Sequence, residues 1–106
     1  MPLMKLEDQP VLTPVEGYRA RMVHSESMTL AYWEVDAGAA LPEHSHPHEQ
    51  VASVIEGEFE LTVGDEAHTL RPGDVVVIPP DVLHSGRAVT DCRLIDAFHP
   101  VREDYK

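Results

Sequence analysis

The chain has 106 residues and a single cysteine, Cys92, so we expect one domain with one hydrophobic core and no internal disulfide. Its 8 basic and 19 acidic residues give a formal charge of −11, which argues against nucleic acid and anionic membrane as partners. No stretch has the apolar length of a membrane span or the pattern of a secretory signal, so we expect a soluble, cytoplasmic protein.

The predicted elements begin after a proline-spaced segment. Residues 1–16 contain three prolines and are predicted to form an extended arm. The β pattern starts at Tyr18, and Thr29–Val35 is a run of β-branched and aromatic residues that predicts a strand. Apolar and polar residues alternate in Phe59–Val63, which predicts a half-buried strand, and residues 64–66 have the composition of a hairpin turn.

The second half of the chain continues the β pattern. A turn at residues 72–73 precedes the apolar run Val75–Ile78, which is a predicted strand that ends at the Pro-Pro-Asp sequence of residues 79–81. Residues 93–98 form the last predicted strand. Turn signals recur at intervals of roughly 8–12 residues without helical periodicity between them. The predicted fold class is therefore all-β, a single-domain sandwich or barrel.

A group of histidines suggests a metal site. His44 and His46 form a His-x-His pair, and in an extended segment residues i and i+2 point to the same face, so both imidazoles can reach one ion. His48 and Gln50 have the same even spacing from His44 (the same parity), so parity alone does not select the metal ligands among these four residues. Glu49 has the opposite parity and would face away from the site, which favours Gln50 over Glu49 as a ligand.

Distance adds a second constraint on this site. In a fully extended chain the Cα atoms of His44 and Gln50 would lie about 20 Å apart, too far for bonds of about 2 Å to one ion. The chain must therefore bend between them, and Pro47 is a candidate for the corner. His84 follows the Pro-Pro-Asp turn and can approach from another strand. The remaining histidines are expected to be surface or packing residues: His24, His68 and His99.

The stretch between residues 38 and 88 resembles the two sequence motifs of the cupin superfamily. The first pattern comprises Gly38, His44, His46, Gln50 and Gly57, and the second comprises Gly73, Pro79, Asp81 and His84. The resemblance implies that residues 1–106 form one cupin domain, an antiparallel β-barrel of jelly-roll type with about six to eight strands, usually a homodimer. It also implies one divalent metal ion, with these ligands: His44, His46, Gln50 and His84. Three positions depart from the family pattern: Gln50 replaces glutamate, Asp81 replaces glycine and Ala88 replaces asparagine.

The glutamine affects the expected chemistry. Its amide oxygen is neutral, as are three imidazoles, so the full 2+ charge of a bound ion would stay uncompensated. We therefore expect a stronger Lewis acid and a better anion receptor than a site with glutamate would give. Nitrogen and oxygen ligands without sulfur suit nickel, zinc, manganese or iron, and they leave the choice among these metals open.

Residues 44–50 and 96–105 are similar to the KdgF-type cupins, which act on unsaturated uronates from pectin and alginate breakdown. The similarity implies that Asp96 is a general acid, a general base or both, that Phe98 is an apolar wall, and that Arg102 holds a substrate carboxylate or hydroxyl. Asp96 and Phe98 share one face of the last predicted strand with Leu94, and a carboxylate facing the core is costly unless it is paired or used. In the alternative interpretation Asp96 faces outward and Arg102 is a solvated surface charge.

This similarity implies an enzyme that opens the ring of 4,5-unsaturated uronates to the linear 5-keto-4-deoxyuronate. The reaction is an isomerisation without redox change, and its partner is a small sugar acid. Two alternatives stay open, a metal-dependent cupin oxygenase and a non-catalytic cupin that binds a sugar acid. Oxygen uptake would favour the first alternative, and binding without conversion would favour the second.

Overall fold

The computed structural model describes residues 3–106. This part of the chain forms ten strands and two 3-10 helices, which lie at Leu6–Asp8 and Glu103–Tyr105. The strands are β1 (Leu12–Val15), β2 (Tyr18–His24), β3 (Thr29–Val35), β4 (Ala40–His44), β5 (Glu49–Glu56), β6 (Phe59–Val63), β7 (Glu66–Leu70), β8 (Val75–Ile78), β9 (His84–Ala88) and β10 (Cys92–His99). With three residues each, the two helices fall far short of the length and apolarity of a membrane-crossing helix.

The strands form two antiparallel sheets. The larger sheet has six strands in the order β1-β2-β3-β10-β5-β8, and the smaller has four in the order β4-β9-β6-β7. Every strand pair within these sheets is antiparallel. The architecture confirms the predicted all-β class and the antiparallel barrel of jelly-roll type, with ten strands where six to eight were expected.

The hydrophobic core lies between the two sheets. In β3 every second residue is buried, because successive side chains of a strand point to opposite faces. The buried positions of the larger sheet include Tyr18, Trp33, Val54, Ile78 and Phe98, and those of the smaller sheet include Phe59, Leu61, Leu70 and Ala88. The apolar core therefore fills most of the space between the sheets. A binding site between the sheets is expected where polar side chains take the place of apolar ones.

Most of the predicted strands agree with the structure. β3, β6 and β8 have the predicted ends, and β10 extends the predicted 93–98 segment by one residue at each side. The predicted turn at residues 64–66 lies at residues 64–65, between β6 and β7. The sequence interpretation did not predict β1, and it gave no bounds for β4 and β9, although it placed His44 in an extended segment and His84 on a separate strand.

The N-terminal segment differs from the predicted arm over residues 1–16. In its described part Leu6–Asp8 is a 3-10 helix, and Leu12–Val15 pairs with β2 as the edge strand of the larger sheet. An edge strand tolerates Pro14, because the open side of the strand has no neighbouring strand that needs a backbone N–H donor. Met1 and Pro2 lie outside the described residues.

Two turns at motif positions adopt a left-handed backbone conformation. Gly57 has φ 87° between β5 and β6, and a Cβ atom there would collide with the carbonyl oxygen of Asp91. Asp81 has φ 64°, so it keeps the left-handed conformation that glycine adopts most easily. The backbone N–H of Asp81 donates to the carbonyl oxygen of His46 at 2.9 Å. This bond ties the turn before β9 to the loop after β4.

Candidate metal centre

Three histidines converge at the end of the smaller sheet. His44 ends β4 and His84 begins β9, and the two are directly paired across the strands. His46 follows in the loop, and each of the three rings offers a nitrogen that lies within 4.8 Å of the others. The ring centroids are 4.2 Å apart for His44 and His84, and 4.9 Å apart for His46 and His84. The structure thus brings together three of the four side chains that the cupin motifs specify.

The three imidazoles are held by their second nitrogen. Each Nδ1 lies within hydrogen-bond distance of a backbone carbonyl two residues away: 2.9 Å from His44 to Pro42, 3.0 Å from His46 to His48 and 2.9 Å from His84 to Val82. A carbonyl oxygen only accepts, so each Nδ1 carries a proton, and in a neutral ring the Nε2 then has a free lone pair. Such bonds orient histidine ligands in metal sites.

Gln50 brings a fourth donor atom to the same point. It is a buried residue of β5, and its Oε1 lies 3.1 Å from the Nε2 of His46. Burial lowers the pKa of His46, and the positive charge of Arg102 lowers it further, which favours the neutral ring. In a neutral His46 with its proton on Nδ1, two acceptor atoms face each other with no proton between them. A cation between them resolves that repulsion.

His84 gives a second indication that a cation fits. The residue is 2 % exposed, and its Nε2 is buried without a hydrogen-bond partner among the described residues. Burial also lowers the pKa of His84, so the ring is neutral and the orphaned atom is an acceptor. Buried acceptors without donors are rare in folded proteins. Three imidazole nitrogens and one amide oxygen therefore make a donor set that suits a divalent metal.

The other polar residues near the predicted ligands do not join this donor set. Glu49 is exposed, as its opposite parity predicts. His48 lies after the bend at Pro47, and its ring packs against that of His46 with centroids 5.5 Å apart. Its backbone carbonyl supports His46. His48 therefore has a packing and orienting position in this structure.

Asp96 projects from β10 into the same interior. It lies opposite Ala31 on one side and Ala52 on the other, so small side chains leave room around its carboxyl group. The residue is 7 % exposed, and burial raises its pKa to about 6. The nearby side chains of Gln50 and Trp33 and the charge of Arg102 lower this pKa by less. The alternative in which Asp96 faces outward does not hold.

Arg102 is also buried rather than solvated. It is 7 % exposed and lies just after β10, with its guanidinium carbon 4.7 Å from the ring centre of Phe98 and 4.2 Å from that of Tyr105. Its Nε and Nη2 donate to the two carboxylate oxygens of Asp104 at 3.0 and 2.7 Å. The guanidinium therefore lies in a corner formed by two aromatic rings whose planes meet at 71°.

These side chains line one cavity of about 70 Å³ between the sheets. The three histidines, Gln50, Asp96, Phe98 and Arg102 all face it. A volume of this size holds roughly five water molecules, so an ion and part of a small ligand fit inside. Sequence reasoning did not identify three further residues at this site: Trp33, Asp104 and Tyr105. Trp33 shares the buried face of β3, and the other two lie in the C-terminal stretch already singled out.

Comparison with known proteins gives a consistent family. Residues 31–98 match the family model of the Cupin domain. The pectin degradation protein KdgF of Dickeya dadantii (strain 3937) is 33 % identical over 93 residues, which cover 85 % of this chain and 84 % of that protein. Two solved structures superimpose with a TM-score of 0.91. The first is an RmlC-like cupin from Shewanella frigidimarina, which is 31 % identical, and the match covers 98 % of this chain and 95 % of that one. KdgF from Halomonas sp. has 27 % identity and 100 % and 99 % covered.

Proposed function

We propose, from the premise that this chain belongs to the cupin domain family and is a KdgF-like cupin, that it opens the ring of 4,5-unsaturated uronates in pectin degradation. The product would be the linear 5-keto-4-deoxyuronate. The observation that supports this proposal is the convergence, in one cavity, of four metal-type donor atoms with a buried carboxyl group and a buried guanidinium. These are the groups that a proton shift in a sugar acid requires.

The proposal assigns one divalent ion to four ligands: His44, His46, Gln50 and His84. Nickel, zinc, manganese and iron all suit these donors. When bound, such an ion supplies a Lewis acid of uncompensated 2+ charge, which favours negative charge on nearby substrate oxygens. The four ligands are neutral, so a carboxylate ligand is not repelled by the site.

Asp96 is assigned the proton transfer. The C1 hydroxyl loses its proton, the bond between C1 and the ring oxygen breaks, and C1 becomes an aldehyde. The electrons pass to the enol oxygen at C5, and a proton added at C4 completes the 5-keto product, so that no proton or electron is lost overall. Asp96 takes the first proton, delivers the second, or does both. A carboxyl group whose pKa is about 6 is suited to either task near neutral pH.

Arg102 and Phe98 are assigned to substrate binding. A guanidinium presents paired N–H donors that match a carboxylate or two hydroxyls. Phe98 is buried next to it and offers an apolar face to the flat unsaturated ring. Unsaturated monosaccharides are the expected substrates, because ring opening needs a free C1 hydroxyl on the unsaturated ring, and the small cavity agrees with a small ligand.

The direct test is a rate measurement with the products of a pectate lyase digest. Loss of absorbance from the conjugated double bond should be faster with the protein than the spontaneous rate, and removal of the metal by a chelator should abolish the difference. Asp96→Asn should lower turnover by roughly 10²–10⁴-fold with the metal still bound. Asp65→Asn, in the exposed turn between β6 and β7, is the matched control. A rate equal to the spontaneous one would reject the function.

We also propose that the protein is a cytoplasmic homodimer. The outer face of the larger sheet carries three exposed aliphatic side chains, Ile55, Val75 and Val77, with 48 %, 57 % and 58 % exposure. Exposed apolar groups of this kind on one face are typical of protein interfaces. Light scattering coupled to size-exclusion chromatography should give twice the chain mass, and Val77→Glu should shift it towards one chain. A wild-type monomer at micromolar concentration would contradict the proposal.

A further inference from the structure

The guanidinium of Arg102 is restrained on three sides. The Phe98 and Tyr105 rings flank it as two walls of a corner, at 4.7 and 4.2 Å from the guanidinium carbon, with an interplanar angle of 71°. Asp104 holds the edge formed by Nε and Nη2 with two hydrogen bonds. The backbone N–H of Arg102 donates to Thr29 Oγ1 at 2.9 Å, which fixes the residue to β3. Two aromatic rings, one carboxylate and one backbone hydrogen bond therefore restrain this residue.

One edge of the guanidinium stays open. Two of its five N–H groups go to Asp104, and within residues 3–106 Nη1 donates no hydrogen bond to the protein. Arg102 lines the cavity that also contains the metal-type donors. The open edge, formed by Nη1 and Nη2, is thus the one left to face a ligand.

We propose that Asp104 is a positioning residue, which turns the open edge of Arg102 towards the carboxylate of a sugar acid bound in the cavity. The inference rests on the proposed function for the class of ligand. Asp104 has a side chain that is 57 % exposed at the rim, so it acts through Arg102 and does not line the cavity itself. Without Asp104 the guanidinium can rotate against the two rings, and the free energy needed to order it again opposes binding.

For the removal of Asp104, electrostatics alone predicts tighter anion binding, whereas a positioning role predicts weaker binding. Asp104 carries a negative charge close to the place where an anion would bind. Its removal should therefore strengthen anion binding about two- to threefold, because the Coulomb repulsion between the two is lost. Positioning predicts that Asp104→Asn weakens binding by about tenfold, the loss of one well-oriented hydrogen bond to a charged group. The sign of the change separates the two effects.

The experiment measures D-galacturonate binding to the metal-loaded protein by calorimetry, together with KM and kcat for the unsaturated uronate. Asp104→Asn should raise Kd and KM about tenfold and change kcat little. Asp104→Glu, which restores the carboxylate, should recover part of the loss. Glu103→Gln is the matched control, because Glu103 lies on the same turn in an exposed pair with Lys106 at 3.3 Å and should leave binding unchanged.

A second background shows whether Asp104 acts through Arg102. In Arg102→Gln, adding Asp104→Asn should cause no further loss, since the group to be positioned is gone. Additive losses in the double variant would overturn the proposal. Unchanged or tighter binding by Asp104→Asn alone would also overturn it, as would a wild-type protein that binds no galacturonate. If the wild type binds galacturonate but has no turnover, ring opening fails while the effect of Asp104→Asn on Kd still decides its role. If turnover is present but Asp104→Asn has no effect, only the positioning role fails.

Discussion

Replacing Asp96 by asparagine should stabilise the metal-free protein at neutral pH and leave its stability almost unchanged near pH 4. Asp96 is buried between Ala31 and Ala52, and burial raises its pKa to about 6 despite the opposing effects of Gln50, Trp33 and Arg102. The ionised form is therefore costly in the fold. Asparagine has nearly the same shape and no charge to bury.

The size of the effect follows from the pKa shift. The Asp96 pKa rises from 3.8 to about 6, and each unit corresponds to about 1.4 kcal/mol, so the full difference is about 3 kcal/mol. A raised carboxyl pKa means that the folded protein holds this proton more tightly than the unfolded chain does. The resulting stabilisation is complete below pH 3.8 and is lost as the pH rises through about 6. Asparagine has no such loss, so the gain of the variant over the wild type grows across that interval and is constant above it.

Urea denaturation of both proteins after chelator treatment, at pH values from 4 to 8, measures this difference. Other titrating groups, including His46 and His84, are common to both proteins and cancel in the comparison. The wild-type minus variant free energy of unfolding should fall by about 2.5 kcal/mol between pH 4 and pH 8, because a small part of the full difference is already lost at pH 4. A difference that stays constant with pH, or a variant that is less stable at pH 8, would refute the argument that the carboxyl group is buried without sufficient partners.

Three further predictions concern the metal, the backbone and the thiol. Gln50→Glu should retain the ion about tenfold more tightly in competition with a chelator and bind galacturonate more weakly, because a carboxylate cancels one positive charge; equal retention would contradict this. Gly57→Ala should lower the free energy of unfolding by about 1–3 kcal/mol from backbone strain, and by more than Gly73→Ala, where φ is also positive but a Cβ meets nothing within 4 Å. Cys92 is buried and burial raises the pKa of its thiol, so a thiol reagent should label it only after urea unfolds the protein; rapid labelling of the native protein would disagree with its packing.

Much of the fold was predictable from local sequence, and the exceptions have local reasons. Thr29–Val35 and Val75–Ile78 carry strong strand composition, and their ends agree with the prediction. Pro14 and Pro42 weaken the pattern of β1 and β4. β9, with the sequence His-Ser-Gly-Arg-Ala, has little strand propensity and is a strand because β4 and β6 pair with it on both sides.

The site was predictable only as far as motif and parity reach. The spacing of His44, His46, Gln50 and His84 indicated a shared point, but parity left His48 open until the bend at Pro47 separated it. The pair formed by Arg102 and Asp104 depends on the 3-10 turn that follows β10, and two residues of opposite charge so close in sequence are more often a solvated pair. The place of Trp33 beside Asp96 depends on the pairing of β3 with β10, which local sequence does not specify.

The donor atoms of the candidate centre come from both layers of the barrel. His44 and His84 belong to the smaller sheet, whereas Gln50 belongs to the larger one. An ion coordinated by all three would act as a cross-brace, because separating the layers would require breaking metal–ligand bonds as well as exposing the core. The free energy of metal binding would then also stabilise the packing of the two sheets. The backbone amides of β4, β5 and β9 would exchange with solvent more slowly in the metal-loaded protein than in the metal-free protein.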